Sequence, residues 1–288
     1  MEYLIHLAII FAIYAILGVS LNLVVGYTGL LSVSHIAFYG IGAYTTAILL
    51  SQSSIGFFLS VVLGIVITFI ASLLIGSVLS KFKDDYFALG SLGFGTIVFA
   101  IFLNWQNLTR GPRGIYGISK PELFGIDFSN NLYFLILALA FLSLIYIASR
   151  FIVNSSFGRV LRAIREDEAT IQIFGYNTLY FKLMIFAISA IMAAVAGSIF
   201  ASYITFVDPS SFNFMESILI LAMIILGGLA NLRGSILGAL FLILLPEILR
   251  FVGFPADIAA QMRQVVYGVI LILLMLYRPQ GLIGEYKL

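Results

Sequence analysis

The sequence contains no cysteine and few charged residues. Only 10% of its 288 residues are charged, whereas 62% are hydrophobic. Without cysteine, neither a disulfide framework nor a thiolate nucleophile or thiolate metal site can form. A soluble domain is usually about 25% charged and about 45–50% apolar. The composition therefore indicates an integral membrane protein, whose length bounds the number of membrane spans.

The sequence also lacks motifs for nucleic-acid binding, nucleotide binding, catalysis and metal binding. The net charge is only +2, and the basic residues are scattered along the loops, so nucleic acid is not an expected partner. The glycine run Gly90, Gly93 and Gly95 sits inside an apolar stretch, with no preceding strand and no following Walker lysine, so it is not a nucleotide loop. The sequence shows no paired carboxylates, HExxH-type motif or other metal-ligand cluster. We therefore expect a non-enzyme that binds no cofactor or metal itself.

Nine apolar stretches are long enough, or nearly long enough, to cross a bilayer: 3–25, 36–50, 55–79, 87–104, 132–152, 181–203, 215–229, 235–252 and 263–277. They predict an all-α, polytopic membrane protein with about 8–10 transmembrane or re-entrant helices in a single domain, 1–288. Residues 36–50 and 215–229 are shorter than the roughly 20 residues that a perpendicular span needs. For these two stretches, half-helices or re-entrant segments buried in protein are the alternative.

The main polar stretch is residues 155–182, which carries about a quarter of all formal charges. Positions spaced by three to four residues predict one face of a short helix there: Arg159, Arg162, Arg165 with Glu166, and Ala169. Ser155 and Ser156 can cap its start, and Gly175 is expected to stop it. A solvated loop that only sets topology is the alternative interpretation.

The basic residues predict the orientation. If residues 155–182 are cytoplasmic, alternation of the spans places ten basic residues inside and five outside. The inner set is Lys81, Lys83, Arg150, Arg159, Arg162, Arg165, Lys182, Arg233, Arg278 and Lys287, and the outer set is Arg110, Arg113, Lys120, Arg250 and Arg263. The loop 106–131 is then external.

Polar residues interrupt the apolar runs at several points. The candidates for a translocation pathway are Asn22, Thr28, Ser32, His35 and Tyr44 in residues 22–44, and Glu216 near the start of a later stretch. The alternative for residues 22–44 is a close-packed, hydrogen-bonded helix pair in which His35 bonds a neighbouring carbonyl. Glu216 can be an interfacial acid or a cavity-facing one. Small residues in 181–203 predict a helix-packing face: Ala190, Ala193, Ala194, Ala196, Gly197 and Ala201.

The loop 106–131 is rich in glycine and proline. It favours an ordered surface loop built from turns. The alternative is that Arg110 and Arg113 receive a docking partner with acidic surface residues.

Several stretches together resemble one family. The segment GRVLRAIREDEATIQIFGYNTLYFKLMIFAISA (158–190) is similar to the cytoplasmic loop and following helix of the permease subunits of branched-chain amino acid ABC importers, of the LivM type. Five more stretches resemble that family in the same order: LNLVVGYTGLLSVSHIAFYGIGAY, DDYFALGSLGFGTIV, LTRGPRGIYGI, ILGGLANLRGSILGA and LPEILR. Ser34 departs from the family, which commonly has glycine before the histidine. Thr170 and the late Gly175 depart from the EAA-and-glycine spacing of ABC permeases.

The resemblance implies a transport complex in the cytoplasmic (inner) membrane of a bacterium or archaeon. This chain would be one of two homologous, non-identical permease subunits, forming a heterodimer. Two cytoplasmic ATPases would use ATP and Mg²⁺, and a periplasmic or lipid-anchored solute-binding protein would deliver leucine, isoleucine or valine. The chain itself would be non-catalytic.

The resemblance also implies a coupling segment, residues 158–175, that inserts into a groove on an ATPase. The residues implied in this contact are Gly158, Arg159, Arg162, Arg165, Glu166, Asp167, Glu168, Ala169 and Gly175. The arginines would pair with acidic groove residues and the acids with basic ones.

Other functions are compatible with the same residues. The nearest alternative is an ABC permease for urea or a short amide. An autonomous secondary transporter would use Glu216 or His35 as a proton site. A membrane-embedded enzyme has the least support, because catalytic motifs are missing.

Overall fold

The computed structural model describes residues 2–53, 55–82, 84–123 and 126–251, together with 265–266, 268–269, 272–273, 277 and 280–283. Its longer helices are α1 (Glu2–Thr28), α2 (His35–Gln52), α3 (Phe57–Leu79), α4 (Asp84–Asn104), α6 (Asn131–Asn154), α9 (Thr178–Ile204), α10 (Phe214–Gly227) and α11 (Leu232–Phe251). The shorter ones are α5 (Gln106–Thr109), α7 (Ser156–Glu166) and α8 (Glu168–Ile173). Two antiparallel pairs of two-residue strands complete these parts: β1 (Ile115–Tyr116) with β4 (Phe206–Val207), and β2 (Glu122–Leu123) with β3 (Ile126–Asp127).

Five helices are long and apolar enough to cross a membrane: α1, α3, α4, α6 and α9. At 1.5 Å per residue, a helix of 27 residues such as α1 is about 40 Å long, which exceeds the roughly 30 Å hydrocarbon core. The predicted helical, polytopic membrane architecture is therefore confirmed. Most of the predicted span 263–277 lies outside the described residues.

Helices α1 and α9 form the centre of the bundle. In their most apolar windows, 72% of the residues of α9 and 56% of those of α1 are buried, against 28% in α3 and 22% in α4. Helix α9 crosses α2 closely at Gly197, where an added Cβ atom would lie 2.0 Å from the carbonyl oxygen of Tyr39. The small-residue face predicted in 181–203 is thus confirmed, because only a residue without a Cβ atom permits this approach.

Helices α2 and α10 both begin inside the bundle. His35, the first residue of α2, lies 2.7 Å from the hydroxyl of Ser20, eight residues before the end of α1. Glu216, in the first turn of α10, accepts a hydrogen bond of 3.0 Å from Tyr14, near the middle of α1. The two stretches identified as too short for ordinary spans therefore form helices that begin beside the interior of α1.

The predicted inner and outer loops lie at opposite ends of this bundle. Helix α7 packs against the ends of α1 and α6, and Arg165 reaches the carbonyl of Gly26. At the other end, β1 in the loop 106–131 pairs with β4, which follows α9. The separation of the two sets of basic residues agrees with the predicted topology where the chain is described. The side chains of Lys83, Arg250, Arg263, Arg278 and Lys287 lie outside the described residues.

Candidate functional site

The polar stretch 155–182 folds as two short helices at the inner end of the bundle. Ser155 caps α7, because its hydroxyl oxygen accepts a hydrogen bond of 3.3 Å from the Gly158 N–H. A Cβ atom at Gly158 would lie 2.3 Å from the carbonyl oxygen of Val153. The cap at Ser155 is confirmed, and Gly158 is needed for the tight turn between α6 and α7.

The single helix expected from Arg159 to Ala169 is wrong. Asp167 has an extended backbone (φ −157°, ψ 98°) that ends α7 and caps α8. Its carboxylate accepts hydrogen bonds from the Thr170 N–H at 3.1 Å and the Thr170 hydroxyl at 2.5 Å. An N-cap residue requires a non-helical backbone, so Arg165 and Ala169 belong to different helices and do not share one face. The hydroxyl and N–H of Thr170 also hold the pKa of Asp167 below its ordinary value.

Helix α8 ends at a glycine, as the sequence predicts. Gly175 has φ +86°, in the left-handed region. The N–H groups of Gly175 and Tyr176 donate to the carbonyls of Gln172 and Ile171 at 3.0 and 3.3 Å. This pattern is a Schellman motif, which satisfies carbonyls that the helix end would leave unpaired.

The three arginines of α7 point to different surroundings. The guanidinium of Arg165 donates to the carbonyl of Gly26 at the end of α1. Arg162 donates to the carbonyl of Val153 at 2.9 Å and lies 5.9 Å from the ring centre of Tyr27. Arg159 is exposed. Two of these arginines therefore anchor α7 to the bundle, and Arg159 faces outward.

A partly buried ion pair connects α8 to α9. Lys182, which is only 4% exposed, pairs with the carboxylate of Glu168. The hydroxyl of Thr178 donates to Glu168 at 2.9 Å, and the amide of Gln172 donates to Thr178 at 2.9 Å. A charge-assisted network of this kind resists separation of its members. The network therefore ties α8 to the start of α9.

The exposed residues of this segment include acidic and apolar ones. Glu166, Asp167 and Ala169 are exposed, and the side chains of Ile173 and Phe174 are 85% and 74% exposed. These five residues are called the coupling surface below. Sequence reasoning missed Ile173 and Phe174, although two large apolar residues directly before the stop glycine of a polar loop were a usable signal.

A cavity of about 370 Å³ separates part of this segment from the end of α1. Thr28 lines it together with Arg165 and Glu168, and the rim includes three residues of the coupling surface: Glu166, Asp167 and Ala169. Thr28 was predicted as a pathway residue, and the structure places it here, at the inner end, away from His35 and Glu216.

Asn22 holds the turn between α10 and α11. Its amide nitrogen donates to the hydroxyl of Ser235 at 2.6 Å and to the carbonyl of Asn231 at 3.1 Å, and its oxygen accepts from the Ala230 N–H at 3.0 Å. Ala230 is left-handed, with φ +58°. The side chain of Asn22 is fully buried and is engaged within the chain.

Among the other predicted pathway residues, Ser32, His35 and Tyr44 are buried and Glu216 is partly buried, but they do not form one cluster. His35 pairs with the hydroxyl of Ser20, whereas a carbonyl partner had been expected. Ser32 lies 3.0 Å from Ser34, again hydroxyl to hydroxyl. Tyr44 stacks on Phe102 with ring centres 4.3 Å apart, and its hydroxyl has no hydrogen-bond partner among the described residues. Their role in translocation stays a prediction.

Arg110 and Arg113 are exposed at the opposite end of the molecule. The guanidinium of Arg110 lies 5.2 Å from the ring centre of Tyr116, and β1 ties this loop to β4. The loop is therefore ordered and presents both arginines on its surface. Docking of a partner there stays a prediction.

Most of the chain is similar to known membrane permeases. The family described as "Branched-chain amino acid transport system / permease component" matches residues 3–275. The high-affinity branched-chain amino acid transport system permease protein LivM of Salmonella typhimurium is 36% identical, over 94% of this chain and 68% of that protein. The probable branched-chain amino acid transport permease protein LivM of Methanocaldococcus jannaschii is 26% identical, over 96% and 91%. The corresponding permease protein LivH of Escherichia coli is 26% identical, over 94% and 91%. No solved structure matches the chain.

Proposed function

The chain belongs to the family of branched-chain amino acid transport permeases, and we propose that it forms half of the translocation pathway of an ATP-driven importer for leucine, isoleucine and valine. It is a multi-pass protein of the inner membrane. The other half would be a second, homologous permease, because relatives named LivM and LivH both match this chain. A solute-binding protein would deliver the substrate at the outer end, where Arg110 and Arg113 are exposed.

The observation that carries this proposal is the way the coupling surface connects to the bundle. Its exposed residues include Ile173 and Phe174, whose burial against a partner would be favourable. Behind it, Arg165 bonds α1, and Glu168 pairs with Lys182 of α9. Helices α1 and α9 are the central helices of the described bundle. A force applied at the coupling surface therefore reaches the helices around which the others pack.

In this mechanism, two partner ATPases bind ATP and Mg²⁺ and move toward each other. The coupling surface fits a groove on one ATPase, where Ile173 and Phe174 are buried and Glu166 and Asp167 meet basic residues. Rigid-body motion of α7 and α8 then displaces α1 and α9. This chain contributes the docking surface and its connection to α1 and α9, and the partner ATPases hydrolyse ATP.

The test compares two phenylalanines of equal exposure. Phe174 of the coupling surface and Phe151 of α6 are each 74% exposed. Phe174→Ala should lower recovery of the ATPases in a pull-down about tenfold to a hundredfold, since an aromatic anchor at an interface is worth about 1.5–3 kcal/mol. Phe151→Ala should recover them normally. ATP-dependent leucine uptake by the reconstituted complex should follow the same order.

The alternatives predict different results. Equal recovery of the ATPases by both variants would contradict docking at the coupling surface. Proton-driven uptake by the purified chain alone would support the secondary transporter, with His35 or Glu216 as the proton site. A complex that carries urea or a short amide in preference to leucine would support the other ABC permease.

A further inference from the structure

A basic cavity of about 320 Å³ lies at the inner end of the bundle, where α1, α6, α7 and α11 meet. We propose that this cavity binds the phosphate group of an anionic phospholipid from the inner leaflet, whose acyl chains lie along α6 and α11. The proposal goes beyond the proposed function, because the ligand is a membrane lipid and differs from the transported substrate.

Three arginines from three helices line this cavity: Arg150 of α6, Arg162 of α7 and Arg233 of α11. Among the described residues, the lining contains no acid, and none of the three guanidinium groups forms an ion pair. Arg233 lies in the first turn of α11, where the positive end of the helix dipole adds to their charge. Like charges around one cavity repel, so an anion there is favourable. Phosphate suits these donors, because a planar guanidinium binds two phosphate oxygens through parallel hydrogen bonds.

Arg162 also supplies a donor that the fold leaves unused. One of its terminal nitrogens donates to the carbonyl of Val153 at 2.9 Å. Its Nε atom is buried, yet it has no hydrogen-bond partner in the part of the chain that the structure describes. A buried donor without a partner is costly. A phosphate oxygen in the cavity would offer Arg162 the acceptor that the protein does not provide.

The exposed sides of α6 and α11 continue the cavity as apolar surface. On α6, the exposed residues Leu144 and Ile147 lie one to two turns before Arg150. On α11, the exposed residue Leu237 lies one turn after Arg233. Helix α6 ends and α11 begins at this cavity, so both apolar surfaces run from the arginines toward the outer end. A free anion has nothing to cover these surfaces, whereas a phospholipid has acyl chains.

The position of the cavity suits the inner leaflet. It lies at the same end as the charged segment 155–182, and Tyr27 and Tyr146 line it. Tyrosine is enriched at membrane–water interfaces. The cytoplasmic leaflet carries anionic lipids, and basic pockets between helices on that side bind their headgroups. A lipid phosphate in this cavity would bridge α6, α7 and α11.

The test places a fluorophore beside the cavity, which is possible because the chain has no cysteine of its own. Asn154 is exposed and lines the cavity, whereas Ser77 is exposed near the inner end of α3. The full chain, with cysteine-free partner subunits, is placed in nanodiscs of phosphatidylcholine and labelled at either Asn154→Cys or Ser77→Cys. Phosphatidylglycerol with a nitroxide near the headgroup end of one acyl chain is then added.

Nitroxide-labelled phosphatidylglycerol should quench the fluorophore at position 154 at a concentration about tenfold or more below that of nitroxide-labelled phosphatidylcholine. The two lipids should quench the fluorophore at position 77 about equally. Arg150→Gln and Arg233→Gln should each lower the preference at position 154 about fivefold, and the double variant should remove it. Lys81→Gln is the control, because it removes a positive charge that is exposed at the same end but does not line the cavity.

Equal quenching by the two lipids at position 154, or a preference that survives the double variant, would overturn the proposal. Displacement of the lipid by millimolar inorganic phosphate would identify a free-anion site instead. Shielding of position 154 from both lipids, with loss of the second permease from the double variant, would identify a protein interface. If the double variant fails to fold, the two single variants decide. Quenching does not require transport, so a complex that fails to carry leucine would contradict only the proposed function.

Discussion

The α10–α11 turn and the α7–α8 break both interrupt helices, but they satisfy the backbone in different ways. In the buried α10–α11 turn, the partners come from distant parts of the chain. Asn22 bonds the Ala230 N–H, and the N–H groups of Leu282 and Ile283 donate to the carbonyls of Leu226 and Gly227 at 2.8 and 3.0 Å. At the exposed α7–α8 break, Asp167 and Thr170 provide a local cap three residues apart.

This difference follows from the solvent. In a turn buried among other helices, a polar backbone group without a partner cannot turn to water, so a break there needs tertiary partners. At the inner end, water and a neighbouring side chain are sufficient. Breaking the interior turn should therefore cost much more than breaking the surface one.

The largest effect is expected for Asn22→Leu. It leaves the Ala230 N–H and the Gly228 carbonyl without the hydrogen bonds that Asn22 makes to them in the buried turn. Each unsatisfied buried group costs about 1–3 kcal/mol, so we expect a loss of about 3 kcal/mol or more. Thermal unfolding in detergent measures it. Asn104→Leu is the control, because the exposed Asn104 bonds only Ala100 of its own helix and should change stability by less than about 0.5 kcal/mol. Similar melting temperatures for the two variants would remove the contrast between the regions.

An intermediate effect is expected for Glu168→Ala, which removes the tertiary support of the surface break. Lys182 would remain buried without its counter-charge, at a cost of about 1–3 kcal/mol, since Glu168 keeps some exposure to solvent. Cleavage within 166–178 by a protease should accelerate. The double variant with Lys182→Met should recover part of the loss, whereas Glu166→Ala, at an exposed position, should be neutral. No recovery in the double variant would show that the ion pair is not the support.

The smallest effect is expected from pH at Asp167. The bonds from Thr170 hold the pKa of Asp167 below its ordinary value of about 3.9, so the ionised form stabilises the folded α8. This contribution is present above the unfolded pKa and is lost as the pH falls through the lower folded pKa. Hydrogen exchange of the α8 amides should therefore accelerate below about pH 4. Asp167→Asn should retain the cap and lose this pH dependence. The same acid response in both proteins would exclude Asp167 as its source.

Local patterns predicted part of the coupling segment correctly. Ser155 starts α7 and Gly175 ends α8, because a cap and a left-handed glycine act through neighbours in sequence. The break at Asp167 was missed, since an aspartate followed by Glu168 and Ala169 suits a helix interior and a helix start alike. The directions of Arg162 and Arg165 depend on where the ends of α1 and α6 lie, which spacing along the chain does not reveal.

Sequence patterns also did not identify which residues face a cavity between the helices. Polar residues such as His35 and Glu216 were chosen as pathway candidates because intramembrane polar groups often mark function. In the structure, His35 bonds Ser20 and Glu216 bonds Tyr14. Their sequence neighbours Ile36 and Ser217 line a cavity of about 260 Å³ beside α4. Which of two adjacent positions faces a cavity depends on the rotation of each helix, which packing decides.

The sequence by itself determined that this chain is a helical membrane protein, which stretches form its helices, and which end carries the charged segment. Hydrophobicity, helix caps and charge act over a few residues, so they can be read along the chain. Only the tertiary structure decided that α2 and α10 begin beside the interior of α1, that Asn22 supports a distant turn, and that Ile173 and Phe174 stay uncovered in this chain. Each of these depends on contacts between residues far apart in sequence, and those contacts exist only once the helices pack.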